Sequence, residues 1–136
     1  MLDPVTLKQS YSQTTERIRI TVKPEPIVEN SDPDGGVYAF SYTITIENLG
    51  EESAQLLERH WIVMSGDLQI AEVVGSGVVG QLPIVDEGQS YEYTSGTVLQ
   101  DPVGSMHGSY TFRSKSGRFF TVEIPKFELL FPVVVH

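Results

Sequence analysis

Residues 37–47, VYAFSYTITIE, alternate with a period of two. Tyr38, Phe40, Tyr42, Ile44 and Ile46 fall on one face, and Ala39, Ser41, Thr43, Thr45 and Glu47 on the other. Successive side chains of a strand point to opposite sides, so this is a strand with one face buried and one wet. The period recurs along the chain. Ile18, Ile20 and Val22 alternate with Arg17, Arg19, Thr21 and Lys23. Tyr91 and Tyr93 alternate with Glu92 and Thr94, and Tyr110 and Phe112 with Ser109, Thr111 and Arg113. Phe120, Val122 and Ile124 alternate with Thr121 and Glu123. A helix needs a period of 3.6, and only EESAQLLERHW offers a candidate. Its Ala54, Leu57 and Trp61 share a helical face, but Leu56, Ile62 and Val63 spread around it, so the stretch reads mostly as strand.

Turn residues punctuate these runs: Asp32-Pro33-Asp34-Gly35-Gly36, Asn48-Leu49-Gly50, Ser65-Gly66-Asp67, Asp86-Glu87-Gly88 and Lys115-Ser116-Gly117. Glycine supplies positive φ in such turns, and Asn, Asp and Ser bond to the nearby backbone. Short strands with closely spaced turns predict an all-β sandwich or barrel. A chain of 136 residues makes one domain and buries roughly two-thirds of its unfolded surface, enough for a core without staples. The first dozen residues and ENSDPDGG read as mobile, the latter as an acidic hairpin tip. We expect a flexible segment over 1–13 and the domain over 14–136.

Charge and cysteine usage narrow the function. The chain has no cysteine, which excludes a disulfide framework, thiolate metal sites and a cysteine nucleophile, and fits a reducing compartment. The start lacks a basic segment followed by an apolar run, as a secretory signal would need, and LLFPVVV is too short to span a membrane. A cytoplasmic, non-membrane protein is expected. The formal charge of −9 repels phosphate backbones, so a nucleic-acid partner is not expected. The two densest basic groups, Arg17 with Arg19 and Lys23, and Arg113 with Lys115 and Arg118, read as solvated strand faces.

Gly75-Ser76-Gly77-Val78-Val79-Gly80 fits the dinucleotide fingerprint G-x-G-x-x-G. The fingerprint works only where a strand enters the turn and a helix leaves it toward the pyrophosphate. Here Gln81, Leu82, Pro83 and the turn Asp86-Glu87-Gly88 follow, leaving no room for that helix, and Val78 and Val79 start helices poorly. Glycines in a β segment more often mark bends or close backbone approach. We expect Gly75, Gly77 and Gly80 to carry the chain across a sandwich edge. A glycine-rich turn can also form an anion nest. The candidate ligand site is therefore Gly75, Gly77 and Gly80, helped by Arg59 or Arg113.

RHWIV (59–63), VVGSGVVGQLP (73–83), YEYTSGTVL (91–99), GSMHGSY (104–110) and FTVEIPKFEL (120–129), in this order, resemble the ApaG family of small bacterial proteins. The closing VVH also fits. Related domains resemble the C-terminal part of some eukaryotic F-box proteins and of a polymerase-delta-interacting protein. The resemblance implies a fibronectin type III-like or immunoglobulin-like β-sandwich of about seven strands, in agreement with the period-two reading. It also implies a protein-interaction module, by way of the eukaryotic relatives. The family name reflects a gene neighbourhood with diadenosine tetraphosphate hydrolase, and family-level descriptions mention cobalt resistance and magnesium efflux; neither establishes an activity. Two positions depart from the family pattern. Asp101 stands where Thr is usual, and Ser76 where Glu is common, which leaves any acidic contact there without its side chain.

No catalytic constellation emerges. The nucleophile elbow G-x-S-x-G is absent. Ser105 and His107 fall on one strand face, but no acid to orient the histidine is evident. Glu58 and His60 share one face, Arg59 and Trp61 the other, with Trp61 in the core and the Arg59 head at the edge. His60, His107 and His136 are far apart in sequence, and Asp32, Asp34, Asp86 and Glu87 sit in acidic turns, so neither metal nor cofactor is expected. The expected function is a non-enzymatic module for an unknown protein partner. The alternatives are a binder of pyrophosphate or a dinucleoside polyphosphate at Gly75–Gly80, or a role in cobalt and magnesium homeostasis.

Overall fold

A computed structural model describes residues 10–132, and these form two antiparallel sheets packed face to face. The strands in chain order are β1 (Tyr11–Thr15), β2 (Ile18–Pro26), β3 (Tyr38–Asn48), β4 (Ala54–Ser65), β5 (Leu68–Ser76), β6 (Ile84–Val85), β7 (Ser90–Leu99), β8 (Val103–Ser114) and β9 (Phe119–Leu130). One sheet runs β1-β2-β3-β7. The other runs β5-β4-β8-β9, with β6 also on β4. This is the expected sandwich. Seven of its strands are nine residues or longer, and β1 and β6 add five and two residues. β1 opens at Tyr11, within the segment expected to precede the domain; residues 1–9 lie outside the described residues. The EESAQLLERHW stretch enters β4, as a strand.

The alternation places the core. β2 and β3 turn Ile18, Ile20, Val22, Phe40, Tyr42, Ile44 and Ile46 inward, and all are buried. The facing sheet supplies Leu56, Trp61, Val63, Tyr110, Phe112, Val122 and Phe127. Trp61 and Phe127 meet edge to face at 5.9 Å, and Tyr42 tilts against both, at 5.4 Å and 5.7 Å. Such ring pairs add to the area they bury and bind the two sheets at their centre. Three register shifts shape the second sheet. One lies between Leu56 and Glu58 on β4, and one opposite Val63 and Met64, where β5 carries Ile70 as an extra residue. The third, opposite Met106–Gly108, takes in Pro125, which has no N–H for a ladder.

ENSDPDGG joins β2 to β3 as two 3-10 turns, closed by a bridge between Asp32 and Val37. Asp32 accepts from the Gly35 N–H at 3.3 Å, an N-cap that holds the tip. At the β3–β4 turn, buried Asn48 donates to the carbonyls of Glu52 at 2.7 Å and Val85 at 2.9 Å and accepts from the Gly50 N–H. One side chain so replaces the ladder partners that the turn removes.

The two sides of the sandwich are closed differently. On one, β9 packs against β1 and β2. The Glu123 N–H donates to the Thr15 hydroxyl at 3.3 Å, Arg118 pairs with Glu16 at 2.8 Å, and the Tyr11 ring lies 6.2 Å from that of Phe127. On the other side, no hydrogen bond or ion pair joins β5 to β7 among the described residues.

Candidate functional site

The glycine motif lies on this unjoined side. The chain does not cross between sheets there. β5 and β6 both pair with β4, β6 with Ala54 and Gln55 and β5 with Glu58 to Ser65, so residues 77–83 double back along one edge. The crossing comes later, between β6 and β7. The reason is local. Val78 and Gln81 exchange N–H···O=C bonds at 2.9 Å in both directions, and Val79 and Gly80 between them have φ of 43° and 77°. Two left-handed residues in a two-residue loop are the signature of the tight hairpin turn that matches strand twist. Gly80 takes that conformation without cost, whereas Val79 is β-branched and held in a strained one.

Gly75 and Gly77 answer to close approach. A Cβ on Gly77, itself at φ 66°, would stand 2.2 Å from the Gln81 carbonyl oxygen. A Cβ on Gly75 would stand 2.8 Å from the Arg59 Cζ, because the guanidinium lies flat over that residue. Arg59 Nη1 donates to the carbonyls of Ser76 and Gly77, at 2.9 Å each. The loop thus turns carbonyl oxygens toward Arg59. Two of its N–H groups are engaged as well: Gly77 donates to the Leu57 carbonyl and Val78 to that of Gln81, both at 2.9 Å. Of the candidate anion residues, Gly75, Gly77, Gly80 and Arg59 come together around one loop. Arg113 does not join them: it pairs across β8 with Gln55, near the β8–β9 turn, its guanidinium over the Phe119 ring.

Between the sheets, the unjoined side opens as a cleft of about 350 Å³. Its floor is Trp61, Val63 and Met106; Tyr42 and Tyr93 come from the opposite sheet; Arg59, Val78 and Val79 form one lip, Ser95 and Thr97 the other. The hydroxyls of Tyr93 and Tyr110 are hydrogen-bonded to each other. Burial pushes both phenols well above their ordinary range and raises Tyr42 too, although its bond to Ser95 opposes the shift. The phenols are therefore neutral donors at physiological pH. Sequence reasoning placed Trp61 and Arg59 on one inward face but missed this cleft. The tyrosines read only as core positions, and nothing local says that β7 lies opposite β4 with a gap between them.

The outer face of the second sheet carries other sequence candidates. His60 bonds Glu72 at 2.6 Å across β4 and β5. His107 lines the same shallow depression as His60, with its Nδ1 buried and unbonded. Ser105 is buried on the same strand, opposite Met64. No group of three or more His, Cys, Asp or Glu is arranged to hold a metal ion among the described residues. No helix among them is long and apolar enough to cross a membrane.

Fold and site define the class: a fibronectin type III-like or immunoglobulin-like β-sandwich with one stitched side and one open side. Within it, the chain belongs to the ApaG domain family, whose model matches residues 28–114. It is 46% identical over 120 residues to Protein ApaG of Thiobacillus denitrificans, covering 88% of this chain and 94% of that protein. It is 48% identical over 119 residues to Protein ApaG of Shewanella baltica, with the same coverage. The crystal structure of the putative ApaA protein from Bordetella pertussis superposes with a TM-score of 0.82 at 41% identity, covering 86% of this chain and 95% of that one.

Proposed function

We propose that this chain is a non-enzymatic binding module that takes an extended segment of another protein along β5. One observation carries the reading. β5 is a nine-residue edge strand, hydrogen-bonded to β4 on one side and, among the described residues, to no strand on the other. Such an edge is a template for an added strand, with main-chain bonds for affinity and alternate side chains for specificity. β5 offers an apolar side chain to each face, Val73 toward the cleft and Val74 outward. Ile84 and Leu82, both exposed, extend the apolar surface along the same edge.

The formal charge of −9 selects the partner. Two copies of this chain repel each other, whereas a segment alternating apolar residues with Lys or Arg meets Glu72 and Glu58 along the edge. The lack of cysteine supports a cytoplasmic setting. The test is to select binders from a random peptide library and map the best by amide shifts in labelled protein. An apolar–basic alternating peptide whose shifts run along residues 68–76 supports the reading. Binders without that alternation, or shifts confined to another strand, overturn it.

A further inference from the structure

Arg59 is a half-buried cation on the inner face of β4, and no carboxylate pairs with it among the described residues. Both of its bonds to the loop come from Nη1, which leaves the donors on Nε and Nη2 for other partners. Its charge reaches the phenols of Tyr42, Tyr93 and Tyr110, which burial keeps neutral. The cleft therefore holds one positive charge and no negative one. Its remaining surface mixes the Trp61 and tyrosine rings and the Val63, Val73 and Met106 side chains with polar groups, among them the Ser95 and Thr97 hydroxyls on the far lip. A cleft of about 350 Å³ lies at the small end of the range for small-molecule sites, and apolar walls beside convergent polar groups suit a ligand with a charged head and an apolar body.

The geometry points to a binding site for a small organic monocarboxylate in this cleft. Its carboxylate meets the Arg59 guanidinium and the lip hydroxyls, and its apolar body lies against Trp61, Tyr93, Val63 and Val73. Charge and lining select this class over a polyphosphate. One cation balances one carboxylate, and a planar guanidinium matches a carboxylate's two oxygens. A polyphosphate brings several charges into the field of a chain at −9 and has no apolar body for the cleft walls. The N–H groups of Gly77 and Val78, which a phosphate nest on this loop would use, already have acceptors. The site shares Val73 with the β5 edge but differs from strand addition, because it needs Arg59 and the inner face of the cleft and not the free backbone edge.

Trp61 is the chain's one tryptophan and lies in the cleft, so its emission reports occupancy. Cyclohexanecarboxylate, cyclohexanecarboxamide and pyrophosphate are titrated at matched ionic strength. The expected result is a saturable change in emission with the carboxylate and at least a tenfold weaker response with the carboxamide. Arg59→Lys keeps the charge but loses the planar fork, and should weaken the carboxylate several-fold. Val73→Phe fills the cleft from an edge strand and should abolish binding, with the amide spectrum confirming that both variants are folded. Equal binding of acid and amide would reduce the cleft to an apolar hole and overturn the proposal. So would no saturable response in the millimolar range, unchanged binding by Val73→Phe, or tighter binding of pyrophosphate with shifts confined to residues 75–80.

Discussion

Along one side of the sandwich β1, β2 and β9 are tied together; along the other, β5 and β7 stand apart over a cleft. The stitched side uses a backbone-to-hydroxyl bond, an ion pair and ring packing onto Phe127. The open side uses a turn that folds back on its own sheet and an arginine that holds the turn by its carbonyls. The ion pair is exposed and contributes little by itself. Burial of apolar surface makes the difference, since Phe127 is fully buried whereas Val73 is 38% exposed. Stability is thus concentrated away from the side that carries the proposed binding surfaces.

The contrast is most easily broken by truncation. Phe127→Ala removes a ring that packs on Tyr11, Tyr42 and Trp61, and should cost about 3–5 kcal/mol in denaturant unfolding. Val73→Ala on the open side should cost under about 1 kcal/mol. Equal costs would mean that the open side is packed as tightly as the other. Open does not mean loose at the turn itself. Gly77→Ala puts a methyl 2.2 Å from the Gln81 oxygen at a φ of 66°, and should cost about 2–3 kcal/mol. A cost below about 0.5 kcal/mol would show a turn that yields easily.

Alkaline pH probes the hydrogen-bonded phenols buried beside the cleft. The folded phenols of Tyr93 and Tyr110 hold their protons above the ordinary value of 10.0, so above that pH the native state binds more protons than the unfolded chain. Stability should therefore fall as pH rises past about 10, by up to about 1.4 kcal/mol per unit for each group. Replacing Tyr93 with Phe should make the fall shallower; an unchanged slope would place that phenol in solvent. One expected effect is a gain. Val79→Asn relieves a β-branched residue in a left-handed turn position and should raise stability by about 1 kcal/mol, read as a higher Tm.

The alternating runs were sufficient for the strands and for the inward faces of β3 and β4, because period two is a property of the extended backbone alone. The motifs were sufficient for the family. The G-x-G-x-x-G reading shows where local reasoning stops. The missing helix was legible in Gln81, Leu82 and Pro83, and with it the lack of a dinucleotide fold. The direction of the turn was not, and the expected passage across a sandwich edge proved to be a return along β4. That outcome depends on which strand has a free hydrogen-bonding edge, a fact about residues 54–65 and not about the glycines.

The sequence by itself determined that this is an all-β domain with Ile44, Trp61 and Phe112 inside, since burial pattern follows from side-chain alternation. Only the tertiary structure decided that Arg59 lies over Gly75 and faces Tyr93 across a cleft. Sheet order brings β4 opposite β7, and pairings between strands dozens of residues apart are set by the packing of the whole core. No local spacing encodes that distance.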